Sequence, residues 1–128
     1  EKPTFRTKEE LIAWFQQKTK QFAIDIIKFC RTLPPDQAAR VISYQVIKSS
    51  TSIAANYRAA CRGRSQAEFF SKICIVVEEA DESVFWLEMI EGVQFKIDAD
   101  ELKRLKHESD EILAISSKAK GTSGGKSS

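Results

Sequence analysis

The sequence predicts an all-α protein, an antiparallel four-helix bundle with up-down-up-down topology, on three observations. Its 128 residues suit one domain with one core. Five Gly and three Pro are too few for a turn-dense all-β fold. Apolar residues recur at steps of three and four along four long segments, and long helices joined by short connections pack as antiparallel neighbours. We therefore expect one bundle domain over residues 1–120 and a flexible Gly/Ser-rich tail over residues 121–128.

Capping and termination signals divide the chain into these four helices. Thr7, Ser65 and Asp98 each stand three residues before a Glu, which is the spacing of a capping box. Gly63 is able to adopt the left-handed conformation that closes a helix, and we expect it to end the second helix. Gly92 is expected to end the third. The four helices should cover about residues 8–31, 37–62, 65–91 and 98–119.

The net charge of +2 conceals a division between the two halves of the chain. Residues 1–64 carry 12 Lys/Arg against 5 Asp/Glu, whereas residues 65–128 carry 8 against 13. Such asymmetry indicates either an anionic partner or self-association between charge-complementary faces. The alternative is that basic and acidic helices simply neighbour each other within one bundle.

Large apolar residues lie on the third helix outside its core stripe. At about 100° per residue, Phe69, Ile73, Val76, Ala80 and Leu87 share one stripe, while other apolar side chains fall among glutamates on the opposite face. Apolar groups left in water are unfavourable by about 25 cal/mol per Å2, so we expect another copy of the chain to cover them. The alternative is that neighbouring helices of the same chain do so. The predicted subunit interface comprises Tyr44, Ile75, Phe85, Trp86 and Met89.

The second helix presents a basic outer face that complements the acidic third helix. Residues 36–64 carry five basic groups and one acidic group, and residues 66–91 carry seven acidic groups and one lysine. A basic face meeting the acidic face of the next copy is a head-to-tail contact, which closes into a ring when the rotation permits. The same basic residues are candidates for binding nucleic-acid phosphates, although helix cations most often form only a solvated face. They are Arg40, Lys48, Arg58, Arg62 and Arg64.

Polar residues interrupt the core stripe of the second helix. Buried polar groups need partners, because an unsatisfied one is unfavourable by about 1–3 kcal/mol. Ser49, Ser52 and Asn56 are therefore expected to form a structural network with Asp81 and Glu88 of the third helix. The alternative is a ligand site.

Metal, cofactor and catalytic patterns were sought and are not found in the sequence. There is one histidine, His107, and Cys30, Cys61 and Cys74 lack a Cys-x-x-Cys spacing. The chain has no Gly-rich phosphate loop. We expect neither an enzyme nor a cofactor, a metal or a small-molecule substrate. No apolar run approaches the roughly 20 residues that span a bilayer, and the N-terminus has no signal-peptide pattern, so a cytoplasmic location is expected.

Three segments resemble a bacterial four-helix bundle family, named for the protein encoded in 23S ribosomal RNA intervening sequences. They are TSIAANYRAACR over residues 51–62, FFSKI over residues 69–73 and EADESVFWLEMI over residues 79–90. The similarity spans about residues 15–117. Ala54 stands where the family usually has Gly or Pro, and Ala59 where it usually has Glu, which removes a carboxylate from the motif.

The resemblance implies an up-down bundle that assembles as a homo-oligomer, commonly a ring of five, without established enzymatic activity in most members. A related branch, the accessory protein of diversity-generating retroelements, works with a reverse transcriptase and binds nucleic acid through a basic surface. By position, the motif residues carried over are Ser52, Asn56, Tyr57 and Arg58, with Ala80, Asp81 and Glu82. We therefore expect a ring-forming scaffold that contacts RNA, DNA or a nucleic-acid enzyme. The alternative is a protein–protein adaptor with no nucleic-acid binding.

Overall fold

The computed structural model describes residues 3–125, which form four helices and no strand. The helices are α1, Lys8–Cys30; α2, Gln37–Cys61; α3, Gln66–Val93; and α4, Ala99–Gly125. Each helix packs against the next one along the chain, and α1 also contacts α4, so that the four enclose one core. The predicted all-α four-helix bundle is confirmed. None of the four helices, over the residues described, is both long and apolar enough to cross a membrane.

Each helix begins one residue after a capping side chain, and three of the four caps are those that the sequence predicts. The side-chain oxygens of Thr7, Asp36, Ser65 and Asp98 each accept a hydrogen bond from the backbone N–H three residues later, at 2.8–3.1 Å. These bonds satisfy N–H groups that the first helical turn leaves without an intrahelical partner. The capping residues therefore fix where α1 to α4 start.

The end of α3 differs from the expectation. Gly92 does not end the helix, which continues to Val93 and is closed by Gln94 in the left-handed conformation, with φ 62° and ψ 44°. The backbone N–H of Gln94 donates to the carbonyl of Glu91 at 3.2 Å. A Cβ at Gly92 would meet nothing within 4 Å, so this glycine is required neither for the turn nor for packing.

Gly63 follows α2 as expected but does so without a left-handed backbone. A Cβ at this position would lie 3.2 Å from the carbonyl oxygen of Ala60 and 3.3 Å from the Cβ of Glu68. The glycine therefore permits the close approach of the end of α2 to the start of α3.

The expected tail is helical as far as the structure describes it. α4 runs six residues beyond the predicted Ala119, to Gly125, whereas residues 126–128 lie outside the described part. Ser123 is buried, and its hydroxyl donates to the carbonyl of Ala119 at 2.7 Å. An added Cβ at Gly124 would lie 2.7 Å from the ring of Phe70, so the absence of a side chain lets α3 cover this turn. Tertiary contact with α3 thus outweighs the low helix propensity of Gly and Ser.

The core stripe of α2 is rotated from the one that the spacing of its residues predicts, which is Ala38, Ile42, Val46, Ser49, Ile53, Asn56 and Ala60. Ile42, Val46, Ser49, Ile53 and Ala60 are buried as expected. However, Ala39 and Tyr57 are buried where the periodicity placed Ala38 and Asn56. The rotation arises because α2 packs against α1 on one flank and α3 on the other. The ring of Tyr57 meets that of Phe15 on α1 edge-on, with centroids 4.7 Å apart.

Charged groups close the seam between α1 and α4. Nζ of Lys18 lies 2.6 Å from a carboxylate oxygen of Glu108 and 2.6 Å from one of Glu111, and 5.4 Å from the ring centroid of Trp14. Arg104 bridges Asp25 at 3.0 Å and Glu101 at 2.8 Å. Burial lowers the pKa of Lys18, but the two carboxylates outweigh burial and leave that pKa above its ordinary value. This seam therefore depends on ionic contacts as well as on apolar packing.

Candidate functional site

The most exposed apolar side chains of α3 lie among carboxylates on one face. Glu78, Glu82, Phe85 and Met89 follow at steps of four, three and four residues and therefore share that face, which we name the α3 ridge. All four are exposed; Phe85 retains 48% and Met89 38% of its surface in water. The ring of Phe85 packs edge-on against Trp86, with centroids 4.9 Å apart. The ridge thus presents two acidic groups followed, one turn further along α3, by two exposed apolar groups.

The five predicted interface residues fall into two groups. Tyr44, at 64% exposure, is open to solvent together with Phe85 and Met89. Ile75 and Trp86 are only half-buried rather than fully exposed. Trp86 packs against the core of its own chain, and its Nε1–H donates to Glu82 at 3.3 Å. The expectation that Trp86 is left fully in water is therefore wrong, because packing against the core of its own chain covers part of the indole.

The five predicted phosphate-binding residues are all exposed, but they do not form one compact site. Arg40 lies at the start of α2, where its guanidinium donates to the carbonyl of Pro35 at 3.3 Å. Lys48 lies on the α3-facing side, close enough to Glu79 to lower the pKa of that carboxyl. Arg64 lies in the connection after α2. Arg58 and Arg62 are one turn apart on the side that faces α1.

A groove of about 670 Å3 runs between α1 and α2, and it brings Arg58 and Arg62 together with Lys20. These three side chains form no ion pair or hydrogen bond with any other residue in the range 3–125. Among the residues described, no carboxylate lines the groove. Its floor consists of small or aliphatic side chains, namely Ala13, Ala23, Ile24, Ile27, Ala54 and Ala55, with Gln16, Gln17 and Thr51 completing the lining.

Sequence reasoning missed Lys20 as a member of this groove. The residue sits on α1, so only the packing of α1 against α2 reveals that it joins the basic residues of α2. Three exposed apolar residues were missed as well: Leu11, at 40% exposure, Val41, at 52%, and Val93, at 45%. Val41 lies outside the α2 core stripe, and this position in the sequence could have indicated that it is exposed.

The predicted polar network exists in part and with different partners. The hydroxyls of Ser49 and Ser83 lie 2.7 Å apart, both fully buried. Nδ2 of Asn56 donates to the carbonyl and the hydroxyl of Ser52 at 2.9 Å each. Ser52 in turn lies close enough to Glu79 to oppose the increase in the pKa of that carboxyl. The bond between Ser49 and Ser83 connects α2 with α3, whereas those between Asn56 and Ser52 stay within α2.

Asp81 and Glu88, which were expected to complete the network, are exposed on α3 and are not part of it. Ser83 and Glu79 take their places, because they lie on the flank of α3 that faces α2. Burial raises the pKa of Glu79, and repulsion from Glu82 and Glu78 adds to the increase, while Ser52 and Lys48 oppose it. Repulsion among neighbouring carboxylates of α3 therefore adds to the effect of burial on the pKa of Glu79.

The remaining titratable groups do not assemble into a metal centre within residues 3–125, where no three His, Cys, Asp or Glu side chains are placed to hold an ion. Cys30, Cys61 and Cys74 are free and half-buried. Burial raises the pKa of the Cys30 thiol, although a hydrogen bond with Ser43 opposes that increase. The phenol of Tyr57 also has a raised pKa, mainly because it is buried. Cys30 and Cys61 pack against the core, and Tyr57 forms part of it.

The sequence and the fold are both similar to those of known proteins. The family model of the 23S rRNA-intervening sequence protein matches residues 9–118. Among solved structures, the chain is similar to a protein of unknown function from the S23 ribosomal protein family of Bacteroides thetaiotaomicron VPI-5482, at 30% sequence identity and a TM-score of 0.76. That match covers 84% of this chain and 96% of the other. No curated protein matches the sequence.

Proposed function

The chain belongs to the family of 23S rRNA-intervening sequence proteins, and on that premise we propose that it is a non-enzymatic, ring-forming homo-oligomeric scaffold. Its basic faces contact RNA, DNA or an enzyme that acts on nucleic acid, such as a reverse transcriptase. The ring is five-membered, as the family resemblance implies. A cytoplasmic location accompanies this proposal, and the three free cysteines support it.

One observation carries the proposal: unpaired cations and exposed apolar groups occupy separate faces of the same bundle. The α3 ridge exposes Phe85 and Met89 beside carboxylates, a composition that favours coverage by another chain. The cations of α2 lie on the other central helix, and none of the four, Arg40, Lys48, Arg58 and Arg62, forms an ion pair within the described residues. Unpaired exposed cations attract polyanions at long range.

Self-association is tested first. Analytical ultracentrifugation of the full chain at micromolar concentration should give a mass that is a multiple of 14.5 kDa. A single species of 14.5 kDa would remove the oligomeric half of the proposal.

Nucleic-acid binding is tested separately with labelled single-stranded RNA and DNA. The logarithm of the binding constant should fall linearly with the logarithm of the salt concentration, because phosphate contacts release counterions. Replacing Arg40, Lys48 and Arg64 with Gln should reduce the slope by roughly one for each phosphate contact removed. Lys103→Gln, an exposed lysine of α4, is the matched control and should leave the slope unchanged.

A protein–protein adaptor is the alternative function. The observation that favours it is the charge match between the cations of α2 and the carboxylates of α3, since subunit contacts alone would use both. Absence of salt-sensitive binding to RNA and DNA at low ionic strength, together with an intact oligomer, would favour the adaptor.

A further inference from the structure

We propose that the groove between α1 and α2 of one copy receives the α3 ridge of a second copy, in a head-to-tail contact. The inference rests on the oligomeric half of the proposed function and specifies which surfaces meet. It assigns Arg58, Arg62 and Lys20 to the subunit contact.

The groove has the composition of one half of a protein interface. Its apolar lining consists of alanines of both helices and isoleucines of α1, and three cations line it as well. Small side chains allow another helix to approach closely, and an apolar centre with a polar rim is typical of protein–protein contacts. A phosphate chain would gain little from such a floor, because phosphates remain solvated and bind to donors. The floor therefore favours a helix with an apolar centre over a nucleic acid.

The ridge has the opposite composition. Phe85 and Met89 form its apolar C-terminal part, while Glu78 and Glu82 supply the charge at its N-terminal part. Neither glutamate forms an ion pair within residues 3–125. Repulsion from both helps to raise the pKa of neighbouring Glu79, so incoming cations would relieve an unfavourable field.

The spacing of the charges matches as well. Glu78 and Glu82 are one helical turn apart, and so are Arg58 and Arg62. Residues at i and i+4 lie about 5–6 Å apart on a helix surface, so two carboxylates can face two guanidinium groups in one register. Like charges on each separate face repel one another, and docking replaces this repulsion with attraction.

The contact is heterologous, because one copy contributes its groove and the other contributes its ridge. The alternative, ridge against ridge about a two-fold axis, brings carboxylates against carboxylates. In a pair joined by this contact, one copy keeps a free groove and the other keeps a free ridge. Further copies can therefore be added until a ring closes.

Two variants, each with one surface disabled, test this arrangement. The groove variant is Arg58→Glu with Arg62→Glu, and the ridge variant is Phe85→Ser with Met89→Ser. Each alone should weaken self-association by about tenfold or more and give a monomer at micromolar concentration. Leu11→Ser, an exposed apolar residue of α1, and Lys103→Glu are controls that should keep the wild-type mass. Far-UV circular dichroism verifies that each variant is folded.

Mixing the two variants gives the decisive measurement. The ridge variant retains a groove and the groove variant retains a ridge, so native mass spectrometry should detect a one-to-one dimer that cannot extend further. Monomers alone in the mixture, with an oligomeric wild type, would overturn the docking and leave the proposed function standing. A groove variant that stays oligomeric but loses salt-sensitive RNA binding would assign the groove to phosphates instead. A monomeric wild type would remove the proposed oligomer itself.

Discussion

Ser49 of α2 and Ser83 of α3 form a hydrogen bond 2.7 Å long at a place that solvent does not reach. Ser49 is also 3.3 Å from the carbonyl of Val46, to which it donates, so Ser83 is left to donate across the interface. Other buried hydroxyls, such as those of Thr19 and Ser116, donate to carbonyls of their own helices. The pair therefore contributes to fixing the register between α2 and α3.

The first prediction is a coupling energy between these two serines. Ser83→Ala should lower the free energy of unfolding by about 1 kcal/mol, the usual net value of a neutral hydrogen bond. The double variant Ser49→Ala/Ser83→Ala should be destabilised by less than the sum of the single variants, because one bond is removed in each case. Urea denaturation of all four proteins measures the difference, and strict additivity would contradict the interaction.

The second prediction concerns Lys18 in the α1–α4 seam. Lys18→Met should destabilise the fold by about 1–3 kcal/mol at pH 7, because two carboxylates lose a charged donor. Lys28→Met, an exposed lysine on the same helix with no ion pair in the described range, is the control and should change stability by less than about 0.5 kcal/mol.

The pH dependence of the Lys18 variant follows from the direction of the pKa shift. The pKa of Lys18 is raised in the fold, so its contribution is complete below the ordinary value of 10.5 and is lost as pH rises through the folded value. The difference in Tm between wild type and Lys18→Met should therefore be constant from pH 7 to pH 9 and shrink above pH 10.5. A difference that disappears near neutral pH would contradict this account.

The third prediction is that ionisation of the Glu79 carboxyl destabilises the fold, whereas ionisation of most Asp and Glu residues stabilises it. The pKa of Glu79 is raised, mainly by burial, so its ionised form is disfavoured in the fold. The resulting loss of stability is complete above the folded pKa and vanishes below the ordinary value of 4.5. Glu79→Gln should thus raise Tm at pH 7 and leave it nearly unchanged at pH 4. Glu88→Gln, an exposed carboxylate of α3, is the control for which Tm should hardly move at pH 7.

The fourth prediction concerns the C-terminal end of α3. Gly92→Ala should stabilise the protein by roughly 0.5–1 kcal/mol, because the position is helical and open and alanine restricts the unfolded chain. Gln94→Gly should also be stabilising, by up to about 1 kcal/mol, because a left-handed backbone is unfavourable for a residue with a Cβ. Thermal unfolding distinguishes this from a helix that ends at Gly92, for which Gly92→Ala would be destabilising.

Local signals in the sequence predicted most of the fold. Capping by Thr7, Asp36, Ser65 and Asp98 depends on residues within one turn, so it was readable without a tertiary structure. The end of α4 was not, because its last turns are held by the Phe70 ring far along the chain. The stop of α3 was misplaced because a glycine was assumed to take a conformation that Gln94 adopts instead.

The candidate surfaces were predicted less completely. Periodicity identified Phe85 and Met89 as exposed, since it reports which face of one helix is apolar. It could not determine how far the core of the same chain covers Trp86, nor that Ser83 rather than Asp81 meets Ser49. Lys20 joined the groove only once α1 was packed against α2, because a groove between helices is a property of two segments.

The glycine at position 124 has a practical consequence for protein engineering. Because its bare Cα allows the Phe70 ring to seat against the last turn of α4, and because Nε2 of Gln66 lies 3.5 Å from the carbonyl oxygen of Ser123, the end of α4 is held beside the start of α3. A fluorophore or fusion partner attached after residue 125 would begin from a fixed point on the bundle rather than from a loose tether. Its distance to a second probe would then report on the spatial arrangement of neighbouring subunits.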